Sequence, residues 1–194
     1  MAPDHLLTIT ATGAALGAEV SGVDVRSMDD ETFAAIHQAW LDYQVLLFRR
    51  QQLSDQDLIA FSRRFGDLDH APIQENGRRF VEGYPEIYVV SNVVEQGVAI
   101  GSLGAGEAVW HTDMSYLAHP PKASVLYALE VPATGGDTGS ARCTEPGRPC
   151  PRPCSVVSSV YGSNTTRPTT AAGTCGKASR PPTIRALRRA CCIR

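Results

Sequence analysis

The feature that most constrains this 194-residue chain is a break in its character near residue 140. Residues 1–139 carry 8 basic and 19 acidic side chains, a net charge of −11; residues 140–194 carry 10 basic and 1 acidic, a net of +9. All six cysteines, Cys143, Cys150, Cys154, Cys175, Cys191 and Cys192, stand in the second part. That part is rich in Arg, Pro, Thr, Ser and Ala and has Tyr161 as its one aromatic. It shows neither helical nor strand periodicity and does not read as core-forming. The fold must therefore be built by residues 1–139, enough for one domain with a substantial core. No apolar run could cross a bilayer, and no positive N-terminal region precedes an apolar one. A soluble, cytoplasmic protein without membrane partners is expected.

Local signals within the first part agree with one another. Leu6 to Thr10 and Glu19 to Val25 read as short strands separated by Gly13 and Gly17. From Asp30 to Tyr43, Phe33, Ile36, Trp40 and Leu41 recur at helical spacing, and Asp29, Asp30 and Glu31 sit where the helix dipole favours negative charge. Val45 to Phe48 is a continuous apolar run, as in a strand buried on both faces. Ser54 with Asp57 three residues on predicts a capped second helix with a Leu58, Phe61, Phe65 stripe, stopped at Gly66. Ile87 to Val90 and Ser124 to Leu129 have the content of strands, and Gly135-Gly136 that of a turn.

Against this scaffold stands Trp110-His111-Thr112-Asp113. On a strand, alternate side chains share a face, so His111 and Asp113 would present an imidazole and a carboxylate together. These are two thirds of a 2-His-1-carboxylate set, which leaves open positions on Fe(II). An isolated H-x-D is weak evidence, since a hydrogen-bonded histidine at a strand end explains it as well.

The longer stretch WHTDMSYLAHPPKASVLYALEVPATGGDT, residues 110–138, resembles the TauD/TfdA-like family of Fe(II)- and 2-oxoglutarate-dependent dioxygenases. Trp110 to Asp113, Pro120-Pro121, the following apolar strand and Gly135-Gly136-Asp137-Thr138 occur there in this order. Upstream, TGAALGAEVSGVDV, QVLLFRRQQLS and FSRRFGDL extend the resemblance to about Thr8. It implies an α+β, mainly β fold: part of a double-stranded β-helix, or jelly roll, with N-terminal helices and an irregular tail. It implies Fe(II) held by His111 and Asp113, with 2-oxoglutarate and O2 as co-substrates and a small-molecule substrate hydroxylated at a C–H bond. Thr138 resembles the family threonine that contacts 2-oxoglutarate; alternatively it only finishes the Gly-Gly turn. Trp110 and Tyr116 are expected to pack the barrel. In taurine-oxidising members a histidine follows an FGEL-like segment. Here FGDL is followed by Asp69, His70 and Ala71, so His70, the candidate substrate residue, is displaced by one. A small organic acid, a sulfonate or an aryloxyalkanoate is the substrate class implied, and the fold does not select among them.

The family's third iron ligand is a histidine far downstream, followed by an arginine that pairs with 2-oxoglutarate. This chain has only His5, His37, His70, His111 and His119. The genetic code offers a reason. When each new codon takes the third base of one residue's codon and the first two of the next, the residues from Arg142 are compatible with VYRAW. After one open position follows ALPEALQRRIE, and later HDATYNSSGYLREGLPPTDDPR; Arg189 to Arg194 become GVLHP. These strings resemble the continuation of the same family. Residues 140–194 are accordingly expected to be a frameshifted, disordered tail on residues 1–139, leaving a chain without turnover. The alternative is a non-catalytic remnant whose basic tail binds nucleic acid or whose cysteines bind zinc. The tail lacks base-stacking aromatics, and only Cys150 and Cys154 approach zinc spacing, so nucleic acid and zinc are the weaker expectations. Oligomeric state is not legible. A half jelly roll leaves strand edges open, which predicts poor soluble expression.

Overall fold

Gly13 and Gly17, at φ 79° and 101°, let the chain reverse between its first two strands, β1 (Thr8–Ala11) and β2 (Ala18–Ser21). The Thr12 amide donates to the Gly17 carbonyl at 3.0 Å, and the Thr12 hydroxyl to that of Leu16 at 2.9 Å. A side chain at Gly17 would combine left-handed strain with contacts of 3.2–3.3 Å to Thr12. The computed structural model describes residues 6–74, 76–101, 113, 114, 116–131, 138–141, 159–163 and 187–193.

Helix α1 (Asp30–Tyr43) begins where the Asp29 carboxylate accepts from the Thr32 amide at 2.8 Å and ends where Gln44 turns left-handed at φ 65°. It buries Ile36, Ala39 and Trp40. Leu41 is 53% exposed, contrary to its expected place on the apolar stripe. At about 100° per residue it lies roughly 140° around the helix from Ile36. Strand β3 (Leu46–Arg49) runs parallel to β2 and buries Leu46 and Phe48, whereas Leu47 is only half-buried, so one face is fully covered rather than two. Helix α2 (Asp55–Arg63) carries the expected reciprocal cap. The Asp57 amide donates to Ser54 Oγ at 3.2 Å and the Ser54 amide to Asp57 Oδ2 at 2.9 Å.

After β4 (Tyr88–Ser91), the chain makes a small hairpin of β5 (Val94–Glu95) and β6 (Val98–Ala99). Gln96 and Gly97 both take positive φ, the geometry a two-residue turn needs. Strand β7 (Ala123–Glu130) buries Ala123, Val125 and Ala128.

The tail departs from expectation. Residues Ser159–Ser163 form β8 and Leu187–Ile193 form β9, and both enter the sheet, so the tail is not irregular throughout. Neither segment contains proline, and the open ladders of their neighbours accept any proline-free stretch of backbone. The expectation of disorder for the intervening residues 142–158 and 164–186 lies outside the described residues.

The seven strands are ordered β1-β2-β3-β8-β7-β9-β4, parallel across β2-β3-β8-β7 and antiparallel at β1-β2, β7-β9 and β9-β4. One core joins the sheet residues Val20, Leu46, Phe48, Val125 and Ile193 to both helices. Aromatic edges interlock at its helical side, with Phe61 against both Phe48 and Phe65 and Trp40 against Phe65.

Candidate functional site

Strand β7 carries the candidate site on its two flanks. Asp113 precedes it, exposed, in a turn rather than on a strand; Met114 beside it takes φ 51°, and the Leu117 amide donates to the Met114 carbonyl at 3.0 Å. Thr138 follows β7, also exposed and outside regular structure. His111 and Trp110 lie outside the described residues, as does the turn at Gly135-Gly136. Tyr116 is 83% exposed and does not pack a barrel.

His70 is held from both sides by backbone pairing. Leu68 bridges to Ile193, and the Ala71 amide donates to the Pro85 carbonyl at 2.8 Å. His70 itself is exposed, whereas Asp69 is 4% exposed. This buried carboxylate was not singled out from sequence; its place directly after FGDL was the available signal.

The register of β7 is locked to the rest of the sheet by one side-chain network. The Leu53 amide donates to the Tyr127 hydroxyl at 3.1 Å, and that hydroxyl donates to the Gln51 carbonyl at 3.4 Å. The Gln51 side chain donates to the Val23 and Arg49 carbonyls at 3.0 and 3.1 Å and accepts from the Val25 amide at 3.1 Å. At the other end, the Lys122 amide donates to the Ile193 carbonyl at 2.8 Å. Beneath the network lies a cavity of about 20 Å³ whose lining includes Phe48, Leu58, Phe61, Val125 and Tyr127. That is room for about one water molecule, so it is not a substrate pocket.

Charge near the helices serves the fold. Hydrogen bonds from Ser54 and from Thr32 hold the Asp57 and Asp29 carboxyls below their ordinary range, and the Arg26 side chain does the same for Asp24.

Among the described residues, no group of three or more His, Cys, Asp or Glu side chains could hold a metal. The sequence supplies His111 and Asp113 but no histidine after His119. His37 belongs to the aromatic cluster of α1, 5.4 Å from the Trp40 ring.

Residues 8–141 match the family described as "Taurine catabolism dioxygenase TauD, TfdA family". The chain belongs to this family. The (S)-phenoxypropionate/alpha-ketoglutarate-dioxygenase of Delftia acidovorans is 35% identical over 142 residues, which cover 68% of this chain and 45% of that protein. The alpha-ketoglutarate-dependent 2,4-dichlorophenoxyacetate dioxygenase of Cupriavidus pinatubonensis is 34% identical, covering 62% and 45%. The crystal structure of a taurine dioxygenase from Burkholderia xenovorans superposes with a TM-score of 0.53 at 31% identity, covering 66% of this chain and 42% of that one. The TauD/TfdA chain described here thus spans less than half the length of these relatives, and the shared part is the part with the acidic, core-forming sequence. None of its described helices is long and apolar enough to cross a membrane.

Proposed function

We propose that residues 1–139 are the N-terminal part of a cytoplasmic Fe(II)- and 2-oxoglutarate-dependent dioxygenase that hydroxylates a small organic acid or sulfonate, and that residues 140–194 are read out of frame. In this reading His111 and Asp113 are iron ligands, Thr138 contacts 2-oxoglutarate and His70 contacts the substrate. The fold is the first half of a jelly roll. Relatives named for phenoxypropionate, 2,4-dichlorophenoxyacetate and sulfate esters support a small anionic substrate.

One observation carries the proposal. The family match ends at residue 141, and the codon-compatible continuation in the shifted frame begins at Arg142, where the charge of the chain also reverses. Loss of a single base is the smallest change that produces this offset. In this reading the out-of-frame residues 140–194 supply no third iron ligand, since they contain no histidine, and the 194-residue product is expected to show little or no turnover. The alternative, a remnant with a nucleic-acid- or zinc-binding tail, calls for a free tail, whereas residues 159–163 and 187–193 are laid into the sheet.

The test is to sequence the coding DNA across codons 138–142 and beyond the last codon, then compare both products. A missing base, and iron-dependent decarboxylation of 2-oxoglutarate by the restored product alone, is the expected result. Confirmation of the present frame, or equal turnover by the 194-residue chain, would overturn it.

A further inference from the structure

The stretch that carries His70 is pinned on both sides, at Leu68 by its bridge to Ile193 and at Ala71 by the bond from its amide to the Pro85 carbonyl. Asp69 is buried and His70 exposed, so the carboxylate is turned inward and the imidazole outward. Beyond Ala71 the chain doubles back. The Gly77 amide donates to the Gln74 carbonyl at 2.8 Å, with Gly77 at φ 77°, and the Gln74 amide donates to the Arg78 carbonyl at 3.0 Å. The Arg78 amide donates to Asn76 Oδ1 at 2.9 Å. This return brings Arg79 to the His70 stretch, where its Nη1 donates to the Ala71 carbonyl at 3.2 Å. Consecutive Cα atoms are about 3.8 Å apart, so the guanidinium is anchored one residue from an outward-facing imidazole.

Electrostatics separates Arg79 from most other arginines of the fold. Arg26, Arg49, Arg63 and Arg64 pair with the carboxylates of Asp24, Glu19, Glu86 and Asp30. Among the described residues no carboxylate pairs with Arg79, which is exposed. Its neighbour Arg78 is exposed too, but the hydrogen bonds of Arg78 run through its backbone. Residues 1–139 carry a net charge of −11, so their field opposes anions except where a cation is left unneutralised. The single bond to Ala71 leaves most of the guanidinium N–H donors for a ligand.

We propose that Arg79 is a substrate-binding residue which, together with His70, holds the carboxylate of the small anionic substrate. A planar guanidinium donates two parallel N–H bonds to the two oxygens of a carboxylate, and the His70 imidazole N–H adds a third to the same group. A carboxylate is more basic than a sulfonate and is the stronger acceptor for these donors. This assignment rests on the anionic substrate proposed above and narrows it from organic acid or sulfonate to a carboxylic acid. Arg79 is far from FGDL in sequence terms and joins His70 only because the turn at Gln74–Gly77 folds it back.

The test titrates the 194-residue chain with phenoxyacetate, and in parallel with neutral 2-phenoxyethanol and with benzenesulfonate, following the His70 ring protons by NMR. Phenoxyacetate should move them saturably, phenoxyethanol should not, and benzenesulfonate should bind more weakly. Arg79→Gln keeps a donor for the Ala71 carbonyl but removes the charge. It should raise the phenoxyacetate Kd by ~10-fold and leave the urea midpoint unchanged. Arg78→Gln should keep Kd within about 2-fold, because a screened neighbouring charge contributes little. No movement of the His70 ring protons with phenoxyacetate would overturn the assignment. So would equal binding of either control compound, an Arg79→Gln variant that binds like the parent or loses fold stability along with binding, or equal losses at Arg78 and Arg79. Each outcome is separable from failure of the family reading, which is judged by the DNA sequence and the turnover of the restored product.

Discussion

The Tyr127 hydroxyl donates to the Gln51 backbone carbonyl at 3.4 Å, beside the bond it accepts from the Leu53 amide, and through the Gln51 side chain this network joins the middle of β7 to the end of β3 and to the loop at Val23 and Val25. Those segments are 76 residues apart in sequence. Since β3 and β7 share no ladder, this network ties β7 to the matched sheet independently of the tail, alongside the packing of Val125 in the core.

Removing the hydroxyl in Tyr127→Phe should cost about 1 kcal/mol, the net value of a part-buried hydrogen bond. Gln51→Ala should cost more, about 2 kcal/mol, because the Val25 amide and Val23 carbonyl lose their partner together. Urea denaturation of the two variants side by side checks the order; equal midpoints would show that the network does not fix β7.

The cap of α2 links stability to pH. Asp57 has its folded pKa lowered by Ser54, and Asp29 has its own lowered by Thr32. A depressed folded pKa means that the native state binds protons less readily than the unfolded one. Its contribution is therefore complete above the ordinary carboxylate range and is lost as pH falls through it toward the lowered values. The denaturation midpoint should be flat from neutrality down to about pH 5 and decline below it. Ser54→Ala should lower stability by about 1 kcal/mol at neutral pH and make the acid decline shallower. An unchanged acid limb would remove Asp57 from the account.

Core and surface positions of similar chemistry should separate cleanly. Phe48 is 2% exposed and packs edge-on to Phe61 at 5.6 Å, so Phe48→Ala should cost about 3–5 kcal/mol. Leu41→Ala, on the exposed side of α1, should stay within about 0.5 kcal/mol. Thermal or urea midpoints of the pair decide this, and a large loss at Leu41 would mean that α1 is covered by something beyond the described sheet.

What the sequence disclosed, and what it withheld, follows from the range of the interactions. The bounds of α1 and the cap of α2 were legible because Asp29, Thr32, Ser54 and Asp57 act within one turn. The β5–β6 hairpin went unread although Gln96-Gly97 between two valine-bearing pairs is its signal. Strands β8 and β9 were not legible at all: their pairing is decided by open edges contributed from 35 or more residues away, not by their own composition. Asp113 is a candidate by its spacing from His111, but its place in a turn, beside Met114 at φ 51°, is encoded by no periodicity. Asp69 was passed over for His70 because burial alternates at that point against the residue types.

The roles assigned to the site residues predict different losses in the frame-restored protein. Asp113→Ala removes the carboxylate donor, so bound iron and 2-oxoglutarate decarboxylation should fall together. Thr138→Ala removes one hydrogen bond to an anionic co-substrate, worth about 1.5 kcal/mol, and should raise the 2-oxoglutarate KM by about 10-fold while iron content stays unchanged. His70→Ala should leave both iron and basal decarboxylation intact and weaken only the stimulation by the organic acid substrate. Metal analysis together with steady-state kinetics on the three variants separates the roles, because a residue that serves only the fold would lower all three readouts at once. Loss of iron in Thr138→Ala, or of basal decarboxylation in His70→Ala, would reassign that residue to the metal site or to the scaffold of the turn that bears it.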